Sequence, residues 1–504
     1  MLKILFLGAS AAVMAPFAWS AAPADDTALT IYSSASPGAV PPEYYRPLPG
    51  QGAPNASGVP GYAMVRQERN VQLSAGRTQL QFTDVAALID PTTVTFTSLT
   101  EPDARVLEQN FQFDLISTDK LLLKYLDKPV TVERSGAGGG TGGSVTGTLI
   151  SSADGLVLRG NDGSITALRD YSALRFPELP GGLISRPTLQ WDISASRGGE
   201  HRARVTYQTG GVTWWADYNL LYQDGKDAGN GFVDLSSWVS IINQSGASYA
   251  DAKLKLIAGD VHRAPAPAPR MLMEKAAVAN SDAGFEEQAF DEFHLYTLGR
   301  RTTLPNNSTK QIELFDQARH VPAQRLLVYA SGPGYFGGRA PYDGRDFPSP
   351  GNAKVNTYLQ FRNDKASGLG VPLPAGRLRV SRLDPADNSL EFVGEDVIDH
   401  TPRDERVRVR LGSAFDVVGE RKQINFSSDS KARWIEEEIE VELRNHKDTA
   451  VEVQVRETLF RWSSWAILSS TQPYVKEDAH TITSMVKVAA NGSAKLRYRV
   501  RYTW

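Results

Sequence analysis

The sequence predicts a mainly β protein, and three observations carry the prediction. Apolar and polar residues alternate with period two in many short runs, among them residues 201–207, 377–380, 406–411 and 439–444. The 43 Gly and 29 Pro fall between such runs as turn punctuation. Asp154-Gly155 and Asn161-Asp162-Gly163 stand between neighbouring β-patterned segments as strong hairpin signals.

The elements follow in chain order. Lys3 precedes an almost unbroken apolar or small run over residues 4–18, and Ala18 and Ser20 suit an A-x-S cleavage site. Residues 1–20 therefore read as a secretory signal peptide, with export to the periplasm or cell surface. The run is shorter than the ~20 residues that cross hydrocarbon. No second apolar run approaches that length, so no integral membrane span is expected. Residues 21–60, rich in Ala, Pro, Ser and Gly, read as a flexible leader.

A small β domain is expected over residues 61–184. Val65, Val71 and Leu73, then Leu80 and Phe82, suggest two strands joined at Ser74-Ala75-Gly76, and residues 92–99 suggest a third. Ser117 can cap a short helix with Leu121, Leu122 and Tyr125 on its apolar face. About five short, tightly turned strands follow, a pattern that suggests an SH3-like or Sm-like barrel. The Gly-rich stretch at residues 135–144 lacks the Lys-Ser/Thr ending of a phosphate loop and reads as a hairpin tip.

Residues 185–504 read as an Ig-like antiparallel β-sandwich region. Ile439, Val441 and Leu443 face one way, and Glu440, Glu442 and Arg444 the other. The Arg residues within 377–380 and 406–411 read as solvated faces. Residues 262–288 lose the β pattern after an Ala-Pro run and read as a disordered excursion, with Met271, Leu272 and Met273 inside it. Leu496, Tyr498, Val500, Tyr502 and Trp504 alternate to the end of the chain. They read as a last sandwich strand rather than the closing strand of an outer-membrane barrel.

Several stretches add up to a resemblance. They are WWADYNL at 214–220, WVSIINQSG at 238–246, AKLKL at 252–256 and GLGVPLPAG at 368–376, then residues 436–457 and the alternating C-terminal strand. In this order they resemble the bacterial secreted family called domain of unknown function 4139, to which mucoidy-inhibitor-A-like proteins are related. The resemblance covers about residues 185–504. It implies a β-sandwich region in an exported bacterial protein and carries no catalytic residues. Other members often place a coiled coil before this region. No heptad run exists here, so the resemblance does not extend to a shared partner or effect on surface polysaccharide.

Composition narrows the chemistry. With 0 Cys there is no lipid-modified cysteine, disulfide, thiolate zinc site or cysteine nucleophile. A net charge of −3 does not suggest a nucleic-acid partner. The 7 His are not paired at metal-ligand spacing. No G-x-S-x-G exists, and the S-x-x-K matches beginning at Ser117 and Ser428 lack a K-T-G. Asp224, Asp227, Asn230 and Asp234 are weak calcium candidates on one loop; otherwise no cofactor is expected.

Aromatics are the best recognition candidates. Adjacent Trp214 and Trp215 must point to opposite faces of a strand. The long loop at 332–351 holds Tyr335, Phe336, Tyr342 and Phe347 with Arg339 and Arg345. Rigid aromatics with Arg neighbours suit a sugar ring or a protein partner. The leading expectation is a non-catalytic envelope protein that binds a polysaccharide or protein through sandwich-end loops. A hydrolase of envelope glycan or peptide, with a site assembled from distant residues, is the second reading. An outer-membrane assembly component is the third. Oligomeric state is not legible.

Overall fold

A computed structural model of the chain describes residues 25–32, 40–46, 55–135, 141–226, 229–258, 285–290, 293–330, 341–345, 354–384 and 386–504. The fold is mainly β, with several sheets in the manner of a β-sandwich. The signal peptide and Met271, Leu272 and Met273 lie outside the described residues. The chain divides into two compact units. Of the described residues, the first holds 25–28, 66–83 and 92–207, and the second those within 29–65, 84–91 and 208–504. The boundary expected at 184/185 therefore falls inside the first unit.

In the first unit Gly76–Thr83 and Arg105–Gln112 flank Thr188–Ala195 antiparallel. Trp191 on the central strand is fully buried against Phe82 and Phe96, and its indole N–H donates to Gln109 Oε1 at 2.8 Å. Tyr62–Leu73 does not pair with Gly76–Thr83, as expected of a hairpin. It lies beside Gly199–Thr209, which neighbours Ile89–Ser98. The turn at Ser74-Ala75-Gly76 thus carries the chain from one sheet to another.

The small β module sits between Arg105–Gln112 and Thr188–Ala195 in the chain. Ser117 caps helix Thr118–Lys124 by accepting from Lys120 N, and Leu122 and Tyr125 turn into the module's core. Five strands follow in the spatial order Tyr171–Arg175, Pro129–Ser135, Thr141–Ser151, Leu156–Arg159, Ile165–Leu168. Val130, Val132, Leu149, Leu156 and Leu158 fill the inner face. Gly155 makes the turn at φ +86°, where a Cβ would stand 2.6 Å from Leu168 O. Among the described residues no ladder joins the two outer strands, so the expected barrel is an open sheet. The last strands have only 4 and 5 residues, too short to curl back on one another.

In the second unit Phe285–Phe290, Phe293–Leu298, Tyr249–Ala258 and residues 29–32 of the strand Asp26–Tyr32 lie side by side in that order. Two expectations change here. The expected leader contains a strand with Leu29 and Ile31 buried, because Leu-Thr-Ile offers two apolar residues to one face. The expected excursion at 262–288 ends in the strand that starts at Phe285.

A longer sheet in this unit runs Leu390–Ile398, Gly376–Leu383, Val212–Asp224, Asn230–Asn243, Ala318–Ala330, Lys354–Arg362, Arg406–Asp429, Trp434–Asn445, Ser493–Thr503, Trp465–Ser470. It is not purely antiparallel. Val212–Asp224 pairs parallel with Gly376–Leu383, and Ala318–Ala330 pairs parallel with Val451–Thr458. Such pairs need long crossovers, and the chain supplies them. The sheet coils until Leu390–Ile398 meets Arg406–Asp429, where Arg410 N donates to Asp396 Oδ2 at 2.7 Å. Inside the coil Tyr218, Leu235, Val321, Leu359, Leu378 and Val409 are fully buried.

Arg406–Asp429 is 24 residues long and serves two packings. Its first half pairs with Lys354–Arg362 and its second half with Trp434–Asn445. Beyond that point Val451–Thr458 and Thr481–Val488 pair with each other, and their Val453, Val455, Ile482 and Val486 share a core with Ile439, Val441, Leu496 and Val500. The C-terminal side chains Leu496, Tyr498, Val500 and Tyr502 face this core, as a sandwich strand requires.

Candidate functional site

The nominated aromatics are mostly committed to packing. Trp214 is 2% exposed and donates from Nε1 to Ile257 O at 3.2 Å. Trp215, on the other face, is half-buried beneath Tyr45 at 5.4 Å between ring centroids, and its Nε1 donates to Asp217 Oδ2 at 2.7 Å. Both faces of the strand are therefore covered, and neither indole is an open platform. Val40, Val59 and Tyr45, from the expected leader, form that cover with Ile242. Tyr335, Phe336, Arg339 and Phe347 lie outside the described residues, and Arg345 is exposed.

Tyr342 is 43% exposed, and its backbone is tied to a buried charge cluster. Arg461 Nη1 donates to Tyr342 O at 3.0 Å and to Gly344 O at 2.8 Å, while Tyr342 N donates back to Arg461 O. The guanidinium sits 4.8 Å from the Phe426 ring and 5.2 Å from Phe460. Glu437 accepts from Arg461, Gln423 and the Tyr502 hydroxyl. A second pair lies in the same core: Arg421 Nε donates to Glu457 Oε2 at 2.8 Å, and the Tyr498 hydroxyl donates to the same oxygen at 2.6 Å. Burial alone would lower the Arg421 pKa. Attraction to Glu457, with Tyr498 and Glu437, outweighs this and raises it well above the usual range. Burial, then the neighbouring carboxylates, pushes Tyr498 and Tyr502 up. With every charge matched, this is an internal clamp on one loop.

Of the calcium candidates, Asp227 lies outside the described residues. Asp224 pairs with Arg382, and Asp234 Oδ1 accepts from His320 N at 2.8 Å. Asp234 stands opposite Leu221 and Asp224 opposite Gly231. Directly opposed residues share a face, so the two carboxylates point to opposite faces of one hairpin and do not converge. Asn230 is the first residue of its strand.

Sequence reasoning missed one convergence in the first unit. Ser98, Glu101 and His201 meet in the interior, with Ser98 Oγ 3.3 Å from His201 Nδ1 and His201 Nε2 3.9 Å from Glu101 Oε2. The residue types suggest a nucleophile triad, but the bonding does not. Ser98 Oγ accepts from Glu101 N at 3.0 Å, and His201 Nε2 lies 3.2 Å from Arg197 O. Glu101 accepts from the Ser196 hydroxyl and backbone N–H and from Arg197 N, and those bonds, the hydroxyl's first, hold its pKa below the usual value. Ser98 is 2% exposed. The group clasps two loops together.

An open candidate recognition surface lies elsewhere, on the outward face of four neighbouring strands of the second unit. On their inward face Val233 opposes Val321, and Ala323, Phe361 and Val407 align, all buried. Alternation then forces the intervening residues outward. Asn230, Gln324, Gln360 and Arg408 form one cross-strand row. Beside it Phe232 opposes Pro322, and Arg362 opposes Arg406. Pro322 stands one residue before the Ala323 ladder with Lys354–Arg362 begins, where the strand has a neighbour on one side only.

All of these except Arg408 border a groove of about 600 Å³, which Lys226 also lines. Phe232 is 40% exposed and its ring lies 5.7 Å from that of His320. Gln360 Oε1 accepts from Arg408 Nε and Nη2 at 3.2 and 3.0 Å. Asn356 Oδ1 accepts from Arg410 Nη2 at 3.0 Å and from Ser413 Oγ at 3.2 Å. Arg362 Nε pairs with Asp364 Oδ2 at 3.1 Å. The groove thus offers an aromatic face, side-chain amides and guanidinium groups together. The one sequence signal for it was the alternation of Arg with apolar residues at 406–410. The partners on the other three strands carry no local signal.

No family model and no curated protein matches the chain.

Proposed function

We propose that this is an exported, non-catalytic envelope protein that holds a polysaccharide chain along the groove beside Phe232. One observation carries the reading: the amides of Asn230, Gln324 and Gln360 stand in one cross-strand row next to an exposed aromatic ring. Sugars present apolar C–H faces and many hydroxyls. An aromatic face takes the first, and amides, which both donate and accept, take the second. An open groove on a rigid sheet suits a long chain that enters and leaves at both ends. Export is supported by Lys3 and the apolar run that follows it. Membership of the resembled family is part of the same proposal and rests on the motif order at residues 214–376 and beyond.

Binding of the mature protein to a panel of purified envelope polysaccharides, followed by calorimetry, tests the reading. Phe232→Ala and Gln324→Ala alter exposed side chains, so folding should persist while Kd rises about tenfold, a loss of ~1.4 kcal/mol. A panel without a single binder, or a Kd indifferent to Phe232→Ala, overturns it.

A further inference from the structure

We infer that the chain held in this groove is an acidic polysaccharide, its carboxylate groups read by a row of three arginines that starts with Arg406 in the groove lining and continues along the same strand face through Arg408 and Arg410. The inference rests on the groove being a glycan site and adds the ligand's charge.

Arg406, Arg408 and Arg410 occupy alternate positions of one strand and are all exposed. At ~3.3 Å per residue their Cα atoms are ~7 Å apart, so the row covers ~13 Å. Several other cations of the long sheet are paired with carboxylates. Arg379 meets Asp217 and Glu395; Lys495 and Arg497 share Glu440; Arg499 and Arg501 share Glu436. Among the described residues no carboxylate lies within 4.0 Å of the Arg406, Arg408 or Arg410 guanidinium. Their acceptors are neutral: Gln360 for Arg408 and Asn356 for Arg410. Asp396 Oδ2 takes the Arg410 backbone N–H, not its guanidinium.

A neutral acceptor fixes the plane of a guanidinium without cancelling its charge. The remaining N–H groups stay available, and a guanidinium fork matches a carboxylate in two parallel bonds. Three such forks in line suit a polymer with a recurring carboxylate better than a single small anion. Lys226 adds a further cation to the groove lining.

The test uses the mature full-length protein with four probes: polygalacturonate, the same polymer fully methyl-esterified, dextran and polyglutamate. Polygalacturonate should bind at least tenfold more tightly than its ester. The paired variant Arg408→Gln, Arg410→Gln should remove most of that preference, and added salt should weaken the wild type far more than the variant. Equal binding of acid and ester overturns the charge assignment and leaves the glycan reading standing. Polyglutamate binding as tightly as polygalacturonate overturns it too, by showing a general cation patch. If none of the sugar polymers binds, the charge assignment falls, and failure of the wider polysaccharide panel as well removes the glycan reading with it. The ester comparison involves no substitution, so it stands if the variant folds poorly.

Discussion

Arg461 and Glu437 form an ion pair 2.8 Å long whose two side chains are 1% and 2% exposed. The pair joins facing parts of the C-terminal sandwich and, through Arg461 Nη1, fixes the carbonyls of Tyr342 and Gly344. Breaking one member of a buried pair leaves a bare charge in the core, while replacing both with apolar groups avoids that cost. Arg461→Met alone should therefore destabilise the protein by about 3–5 kcal/mol. Adding Glu437→Leu should restore much of the loss. Urea unfolding of the two variants checks this; a double variant weaker than the single would contradict it.

The Ser98, Glu101 and His201 group should be inert as a nucleophile. A serine-directed fluorophosphonate probe should leave Ser98 unlabelled in the folded protein, as read by mass spectrometry. Ser98→Ala removes a buried acceptor from Glu101 N and should cost about 1–3 kcal/mol.

Acid should weaken the fold in a defined window. Glu101 is held below its usual value of 4.5 by the Ser196 hydroxyl, and Glu440 by hydrogen bonds from Lys495 and then Arg497. For a carboxyl with a depressed folded pKa the unfolded chain takes up the proton first. Its stabilisation is complete above the unfolded value and disappears as pH falls through the folded one. Denaturant midpoints should be flat from about pH 7 to about pH 5 and fall below roughly pH 4.5. Glu440→Gln should make the fall shallower. An acid limb of unchanged steepness would show that this carboxylate contributes nothing to it.

Tyr45 should report on the segment that covers Trp215. Its ring packs on that indole beside Val40, Val59 and Ile242. Tyr45→Ala should lower stability by about 1–2 kcal/mol, since only part of the ring is buried. It should also shift tryptophan emission to the red as Trp215 gains water. Unmoved emission would mean the cover is held by other residues.

Much of the fold was legible because alternation is local. Val130 and Val132, or Ile439, Val441 and Leu443, declare their inner face without help from distant chain. The Ser117 cap was equally plain, since a cap is settled within four residues. Strand partners were not. Ser74-Ala75-Gly76 has the chemistry of a hairpin tip, yet the flanking strands go to different sheets, a choice made by Trp191 and its neighbours more than a hundred residues on. The strand at Asp26–Tyr32 was hidden by the Ala- and Pro-rich chain around it.

The candidate site was harder still. Trp214 and Trp215 were rightly placed on opposite faces, but the cover over Trp215 comes from residues 40–59. The arginines at 406, 408 and 410 were read as a solvated face, which they are. What distinguishes them is the identity of the residues opposite them, Arg362, Gln360 and Tyr358 in place of acids, with Asn356 accepting from Arg410, and that depends on register.

The strand Arg406–Asp429 leaves no clean place to cut the chain. An engineer who wanted the C-terminal sandwich alone would have to sever a single ribbon at its middle, stripping Trp434–Asn445 of its edge partner or leaving a dangling half with exposed amides. Either fragment would present a raw seam to other molecules and invite self-association. The two packings that share this ribbon are therefore best moved, fused or transplanted as one piece.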